Sequence, residues 1–136
     1  VVYLTTQDLL WINAEVNKKP SPFHVMDLEE TVGHQYGYLK VEDVLEAAAR
    51  FLAAFLRLRP FTEANDRTAL CATLALLRHN GYEVRLTDPD AWLARVKSGE
   101  VPPIDAIREA LGERGPAPPF AAAFRDLLAT YGRPHS

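Results

Sequence analysis

The chain predicts an all-α fold, an orthogonal bundle of about six helices around one buried central helix. Three observations lead there. Nearly every clear hydrophobic periodicity is helical rather than alternating. The run Thr68-Ala69-Leu70-Cys71-Ala72-Thr73-Leu74-Ala75-Leu76-Leu77 is apolar almost all round, as expected of a helix enclosed by others. Most prolines and glycines mark the breaks between the periodic segments. No internal repeat is visible. With 136 residues the chain is expected to form one domain, residues 1–136, large enough for a real core.

The first helix starts at Thr5 or Thr6, either being a good N-cap, with Asp8 in the first turn where a negative charge suits the helix dipole. Leu9, Ile12 and Val16 mark its inner face. Asn13 shares that face and is expected to have a buried hydrogen-bond partner. Residues 17–40 read as irregular, with Pro20, Pro22, Gly33 and Gly37, and with a short helix near Asp27–Val32. A loop this long in a small domain is usually functional or mobile. The second helix is the clearest. Val41, Val44, Leu45, Ala48, Phe51, Leu52 and Phe55 form one face, while Glu42, Asp43, Glu46, Arg50 and Arg57 fall opposite. It should end before Pro60, since proline disfavours helical geometry in the residue before it. The third and central helix starts near Asn65 or Asp66, either a natural N-cap, and stops at Asn80-Gly81. Tyr82-Glu83-Val84-Arg85-Leu86 reads as an extended link. Asp88-Pro89 opens a fourth helix that Ser98-Gly99 closes, and Pro102-Pro103 opens a fifth that Gly112 ends. Gly115-Pro116-Ala117-Pro118-Pro119 is a stiff connector. Phe120, Phe124, Leu127, Leu128 and Tyr131 then form a last amphipathic helix closed by Gly132.

Composition excludes several functions. At 48% hydrophobic and 24% charged, the chain is an ordinary globular protein. A net charge of −3 disfavours non-specific nucleic-acid binding. No segment approaches the roughly 18–20 apolar residues of a membrane span. The chain begins at Val1 with no basic-then-apolar leader. Its one cysteine, Cys71, rules out a disulfide within the chain, so a reducing cytoplasm is the expected location. Cys71 lies in the apolar helical run and reads as a small inert hydrophobe.

The chemistry concentrates in Arg59-Pro60-Phe61-Thr62-Glu63-Ala64-Asn65-Asp66-Arg67-Thr68, a polar loop between two apolar helices. A helix N-terminus offers backbone amides and the positive end of the dipole. Arg67 can grip a phosphate through two nitrogens and stays charged. Glu63 can hold Mg²⁺ against the same phosphates. Asn65 can fix a phosphate oxygen or the loop itself. Phe61 reads as an anchor in the core, and Ala64 is small enough for a ligand to approach the backbone. On spacing alone the plainer arrangement is the commoner one: a solvated Glu63, a capping Asn65, and Arg67 paired with Asp66, Glu63 or a carboxylate elsewhere. His24, His34, His79 and His135 show no metal-ligand spacing. His79, at a helix C-terminus, reads as a surface residue suited to the dipole. A reach of His24 or His34 into the loop is the lesser alternative. Trp11 and Trp92 read as packing residues.

With its flanks, the loop resembles the Fic/Doc family, whose signature is His-x-Phe-x-Asp/Glu-Gly/Ala-Asn-x-Arg. Phe61, Glu63, Ala64, Asn65 and Arg67 match at the correct spacing. Ala64-Asn65-x-Arg67-Thr68-Ala69-Leu70 is more similar to the Doc (death-on-curing) branch than to the glycine-containing Fic branch. Leu4-Thr5-x-x-x-Leu9-Leu10-x-Ile12-Asn13 resembles the Doc N-terminal helix, and Leu77-Arg78-His79-Asn80-Gly81-Tyr82 the end of its central helix. The segment with Ser98-Gly99-Glu100-Val101 is also Doc-like.

The resemblance implies the toxin of a toxin–antitoxin pair, using ATP or another nucleoside triphosphate with Mg²⁺ to modify a protein hydroxyl. Fic proteins usually transfer AMP; Doc transfers phosphate, as a kinase acting on a translation elongation factor. It also implies a small Phd-like antitoxin whose C-terminal segment folds onto the toxin. The Ser/Thr-x-x-x-Glu-Gly/Asn inhibitor sequence of Fic proteins is not present, so an inhibitor is expected from a partner chain. By resemblance Glu63 is the metal ligand and Phe61 the loop anchor. Asn65 and Arg67, with Ala64 and Asp66 beside them, are the nucleotide and phosphate residues.

Two positions depart from the signature. Arg59 stands where the family has its general-base histidine. Arginine stays protonated and cannot take the hydroxyl proton. Loss of general-base catalysis costs ~10²–10⁴ in rate, about 3–5 kcal/mol of barrier. Asp66 stands where Fic proteins have glycine and Doc has lysine. It either adds a metal ligand or caps the helix, and the cap is the preferred expectation. Three functions follow: an impaired Doc-like transferase, a non-catalytic Doc-fold module binding an antitoxin peptide or nucleotide, and a bare all-α interaction domain. The matching flanks favour the first two over the third.

Overall fold

A computed structural model describes residues 2–36, 43–114 and 120–131. These form seven helices: α1 (Thr6–Asn17), α2 (Val25–Gly33), α3 (Val44–Leu58), α4 (Asn65–His79), α5 (Pro89–Lys97), α6 (Pro103–Glu109) and α7 (Phe120–Tyr131). The fold is mostly helical, as the periodicity predicts. A small sheet of β1 (Tyr82–Val84) and β2 (Leu111–Arg114) is added to it.

Thr5 caps α1 through a reciprocal box. Its Oγ1 accepts from the Asp8 amide at 3.1 Å, and its own amide donates to the Asp8 carboxylate at 2.8 Å. Leu9, Ile12, Asn13 and Val16 are buried on one face. The Asn13 amide donates to the Glu63 carbonyl at 3.0 Å and to Thr68 Oγ1 at 3.1 Å, tying α1 to the start of α4. The segment expected to be largely irregular contains all of α2. Just beyond α2, buried Gln35 accepts from the Leu4 amide and donates to the Leu4 carbonyl, both at 2.8 Å, and so pins the chain entering α1.

Asp43 caps α3, its carboxylate accepting from the Leu45 amide at 2.9 Å, rather than standing on the polar face of that helix. Val41 and Glu42, expected in the same helix, and Gly37 lie outside the described residues. So do the connector 115–119, Gly132 and His135. The helix ends at Leu58, before Pro60 as proline sterics require.

Helix α4 is the centre of the fold. Every residue from Thr68 to Leu77 is buried, and α1, α3, α5, α7 and β1 all pack on it. Phe51 and Phe55 of α3 and Phe124 of α7 are fully buried around it. Both tryptophans pack. Trp92 is buried and donates its indole N–H to the Ala106 carbonyl at 2.8 Å, joining α5 to α6. The ring of Trp11 lies 4.7 Å from that of Phe124. No helix among the described residues is long and apolar enough to cross a membrane.

Two expectations are corrected. The N-cap of α4 is Ala64, with no side-chain cap hydrogen bond, because Asn65 and Asp66 direct their side chains to other partners. Gly112 does not end the fifth helix; α6 ends at Glu109 with Ala110 as its C-cap, and Gly112 lies in β2. There β1 and β2 run antiparallel, Val84 opposite Leu111 and Tyr82 opposite Arg114. A Cβ on Gly112 would stand 2.8 Å from Arg85 Nε and 3.0 Å from Glu83 Cβ. Close strand approach therefore accounts for the glycine.

Candidate functional site

Helix α3 ends at Leu58, its C-cap Arg59 takes the left-handed region (φ 45°, ψ 64°), and the chain turns inward through buried Pro60 and Phe61. The turn is stitched to the segment before α2. The His24 amide donates to the Pro60 carbonyl and the Thr62 amide to the Pro22 carbonyl, each at 2.9 Å. Phe61 is 3% exposed. Its ring stacks on Phe55 and tilts against Phe23, with centroids 6.2 Å apart in both cases. Asn65 commits both ends of its amide to Phe61: Oδ1 accepts from the Phe61 N–H at 3.0 Å, and Nδ2 donates to the Phe61 carbonyl at 2.6 Å. Of the two roles open to it, these contacts are those of a residue fixing the loop. The Glu63 amide donates to Ser21 Oγ at 3.0 Å.

A cavity of about 730 Å³ opens beside the start of α4. Its lining combines Lys18, Arg59, Arg67 and Lys97 with Asp66 and Asp90, over apolar walls that include Val16, Leu93, Ala64 and Ala94. Cations outnumber carboxylates, so the lining is net positive. Asp66 is gripped from two sides, by Arg59 Nη1 at 2.9 Å and Lys97 Nζ at 2.6 Å. Partial burial pushes its carboxyl pKa up, but the hydrogen bonds and charges of Lys97 and Arg59 outweigh that and hold it below the usual carboxylate value. Asp66 is thus neither a free metal ligand nor the cap of α4. Arg67 is only 17% exposed and pairs with Asp90 of α5 at 2.6 Å.

Glu63, the expected metal ligand, does not line this cavity. Its carboxylate is 43% exposed, 3.8 Å from Lys19 Nζ and 3.4 Å from Asn17 Nδ2. A Mg²⁺ ion needs carboxylate oxygens with free lone pairs. In the cavity each Asp66 oxygen carries a cation and Asp90 carries Arg67. No group of three or more His, Cys, Asp or Glu gathers among the described residues. Each carboxylate on the lining is thus paired with a cation, which disfavours a divalent metal on that wall. His24 and His34 do not line the cavity either. His24 precedes α2, and the His34 ring lies near Glu30 and Arg57. Burial pushes the Cys71 thiol up to about 12, against a smaller opposing effect of the Arg67 charge, so it remains protonated and unreactive.

Lys18, Asp90 and Lys97 are site residues that the sequence reading did not single out. A signal existed for two of them. Asp90, Leu93, Ala94 and Lys97 fall at i, i+3, i+4 and i+7, one face of α5, and all four line the cavity. Backbone geometry gives a further mark. The non-glycine residues with positive φ among those described are Lys18, Arg59 and Ala64 (67°, 45° and 60°), and all three line the cavity. Such residues are uncommon and tend to gather at functional sites.

Residues 14–77 match the family model described as Fic/DOC family. Over that span, a little under half of its length, the chain is similar to the Fic/Doc family. One relative, the protein kinase doc of Escherichia phage P1, is 43% identical over 47 residues. That stretch covers 35% of this chain and 37% of the phage protein, so the match spans little more than a third of the relative's length. The Fic/Doc span runs from within α1 to within α4 and includes the loop, Lys18 and Arg67. Helix α5, which brings Asp90 and Lys97, lies beyond it.

Proposed function

We propose that the chain is a Doc-like toxin domain that binds a nucleoside triphosphate by its phosphates in the cavity beside α4. Transfer to a protein hydroxyl is impaired by Arg59. The observation that carries this reading is the net positive cavity at the family's signature loop, with Arg59 and Arg67 in its lining. The name of the phage relative, a protein kinase, favours phosphate over AMP as the transferred group. In that reaction the acceptor hydroxyl oxygen bonds to the γ-phosphorus, the bond from that phosphorus to the bridging oxygen breaks, and the nucleoside diphosphate leaves. The hydroxyl proton needs an acceptor. Arg59 is a cation held on Asp66 at 2.9 Å and cannot be one, so the proton passes to solvent or a phosphate oxygen. A Phd-like antitoxin peptide and a translation elongation factor are the partners this reading brings.

A non-catalytic nucleotide- or peptide-binding module is the second reading, favoured by the same Arg59–Asp66 pair. The test compares the purified protein with its Arg59→His variant, given γ-labelled ATP, Mg²⁺ and cell extract. Faster label transfer by the variant, by ~10²–10⁴, is expected. Equal transfer by both would sink the impairment, and no transfer by either would leave the module.

A further inference from the structure

We infer that the cavity recognises a diphosphate group through fixed cations rather than through a bridging divalent metal, and that Lys97 of α5 is one of its phosphate-binding residues. This rests on the phosphate-binding reading above and deepens it.

The carboxylates on the cavity lining are paired with cations. Asp66 carries Arg59 and Lys97 on its two oxygens, Asp90 carries Arg67, and Glu63 stands outside the cavity near Lys19. The same contacts organise the cations. Asp66 holds Arg59 Nη1 and Lys97 Nζ on opposite oxygens, at 2.9 and 2.6 Å, fixing two positive groups side by side on the cavity wall. An ammonium has three donors and a guanidinium five, so one bond to Asp66 leaves each able to donate to a ligand. Orienting these flexible side chains before binding lowers the entropy cost of holding the anion. Asp66 is thereby a positioning residue. A ligand with two adjacent anionic groups matches this pair, with Arg67 and Lys18 on the same lining. Lys97 also lies beyond the span that matches the family, so the signature loop alone does not supply it.

Isothermal titration of the protein with inorganic pyrophosphate and with ATP, each in EDTA and in Mg²⁺, tests the inference. Both ligands are expected to bind in EDTA as tightly as in Mg²⁺. Lys97→Gln is expected to weaken both about tenfold, while Lys97→Arg retains most of the affinity. Binding only in Mg²⁺, unchanged affinity in Lys97→Gln, or binding of ATP without pyrophosphate would overturn the inference and leave the nucleotide reading standing. Failure of both ligands in both buffers would overturn the two together.

Discussion

Ala64 takes the left-handed conformation, φ 60° and ψ 32°, at the point where the loop becomes α4. For an L-residue with a side chain that region costs about 1–2 kcal/mol. The resembled signature allows glycine or alanine there, and the backbone supplies the reason: position 64 needs positive φ as well as small size. Ala64→Gly removes the steric cost and adds freedom to the unfolded chain, so its stability should change by less than about 1 kcal/mol. Ala64→Val, stiff at its branched Cβ, should lose more than ~1 kcal/mol. Urea unfolding of the two variants checks this, and a valine tolerated as well as glycine would remove the left-handed turn. The spacing of Phe61, Asn65 and Arg67 was legible in the sequence, and so was the absence of a base at position 59. The partners of Asp66 were not, because Lys97 stands 31 residues away and only the packing of α5 on α4 brings it there. A local pattern suggests a cap at Asp66; a long-range ion pair decides otherwise.

At the scale of elements, helices were legible, β1 showed only as the extended link 82–86, and β2 was not legible. Helices carry redundant signals: the Thr5–Asp8 box, Asp88 before Pro89, and an apolar stripe in α3. β1 and β2 have three and four residues, too few for an alternating pattern to separate from a loop. The sequence therefore suggests a helix end at Gly112, the commoner use of glycine after an apolar-periodic run. The sheet predicts a different sensitivity. Ala in place of Gly112 would bring a Cβ to 3.0 Å from Glu83 Cβ, and the Arg85 side chain would have to move as well. Gly112→Ala is expected to cost about 1 kcal/mol in urea unfolding and to leave helix content by circular dichroism unchanged. A helix-ending glycine would instead shift the circular dichroism signal. The face of α5 with Asp90, Leu93, Ala94 and Lys97 was readable by spacing, but spacing does not show that this face overlooks a cavity rather than solvent.

Across the whole molecule, α4 is both the core of the fold and the element that opens the site. Its buried stretch was the plainest feature of the sequence, since a helix apolar on every side has to be enclosed. Leu74, fully buried in α4, stands roughly 13 Å further along the helix than Asn65 at the cavity. Leu74→Ala should cost about 2–5 kcal/mol through lost burial and the void it leaves, a large share of the ~5–15 kcal/mol by which a domain is stable. Pyrophosphate bound to the folded state alone should add about 2.7 kcal/mol at a hundred times its Kd. Sites separated by more than ~7–10 Å with no shared partner are usually additive. The ligand should therefore raise the unfolding free energy of wild type and of Leu74→Ala by the same amount, read from paired urea curves with and without pyrophosphate. Equal increments mean that the committed Asn65 amide and the Asp66 ion pairs hold the cavity in shape even when the middle of α4 is loosened. A smaller increment in the variant would mean that the site takes its geometry from packing along the whole helix.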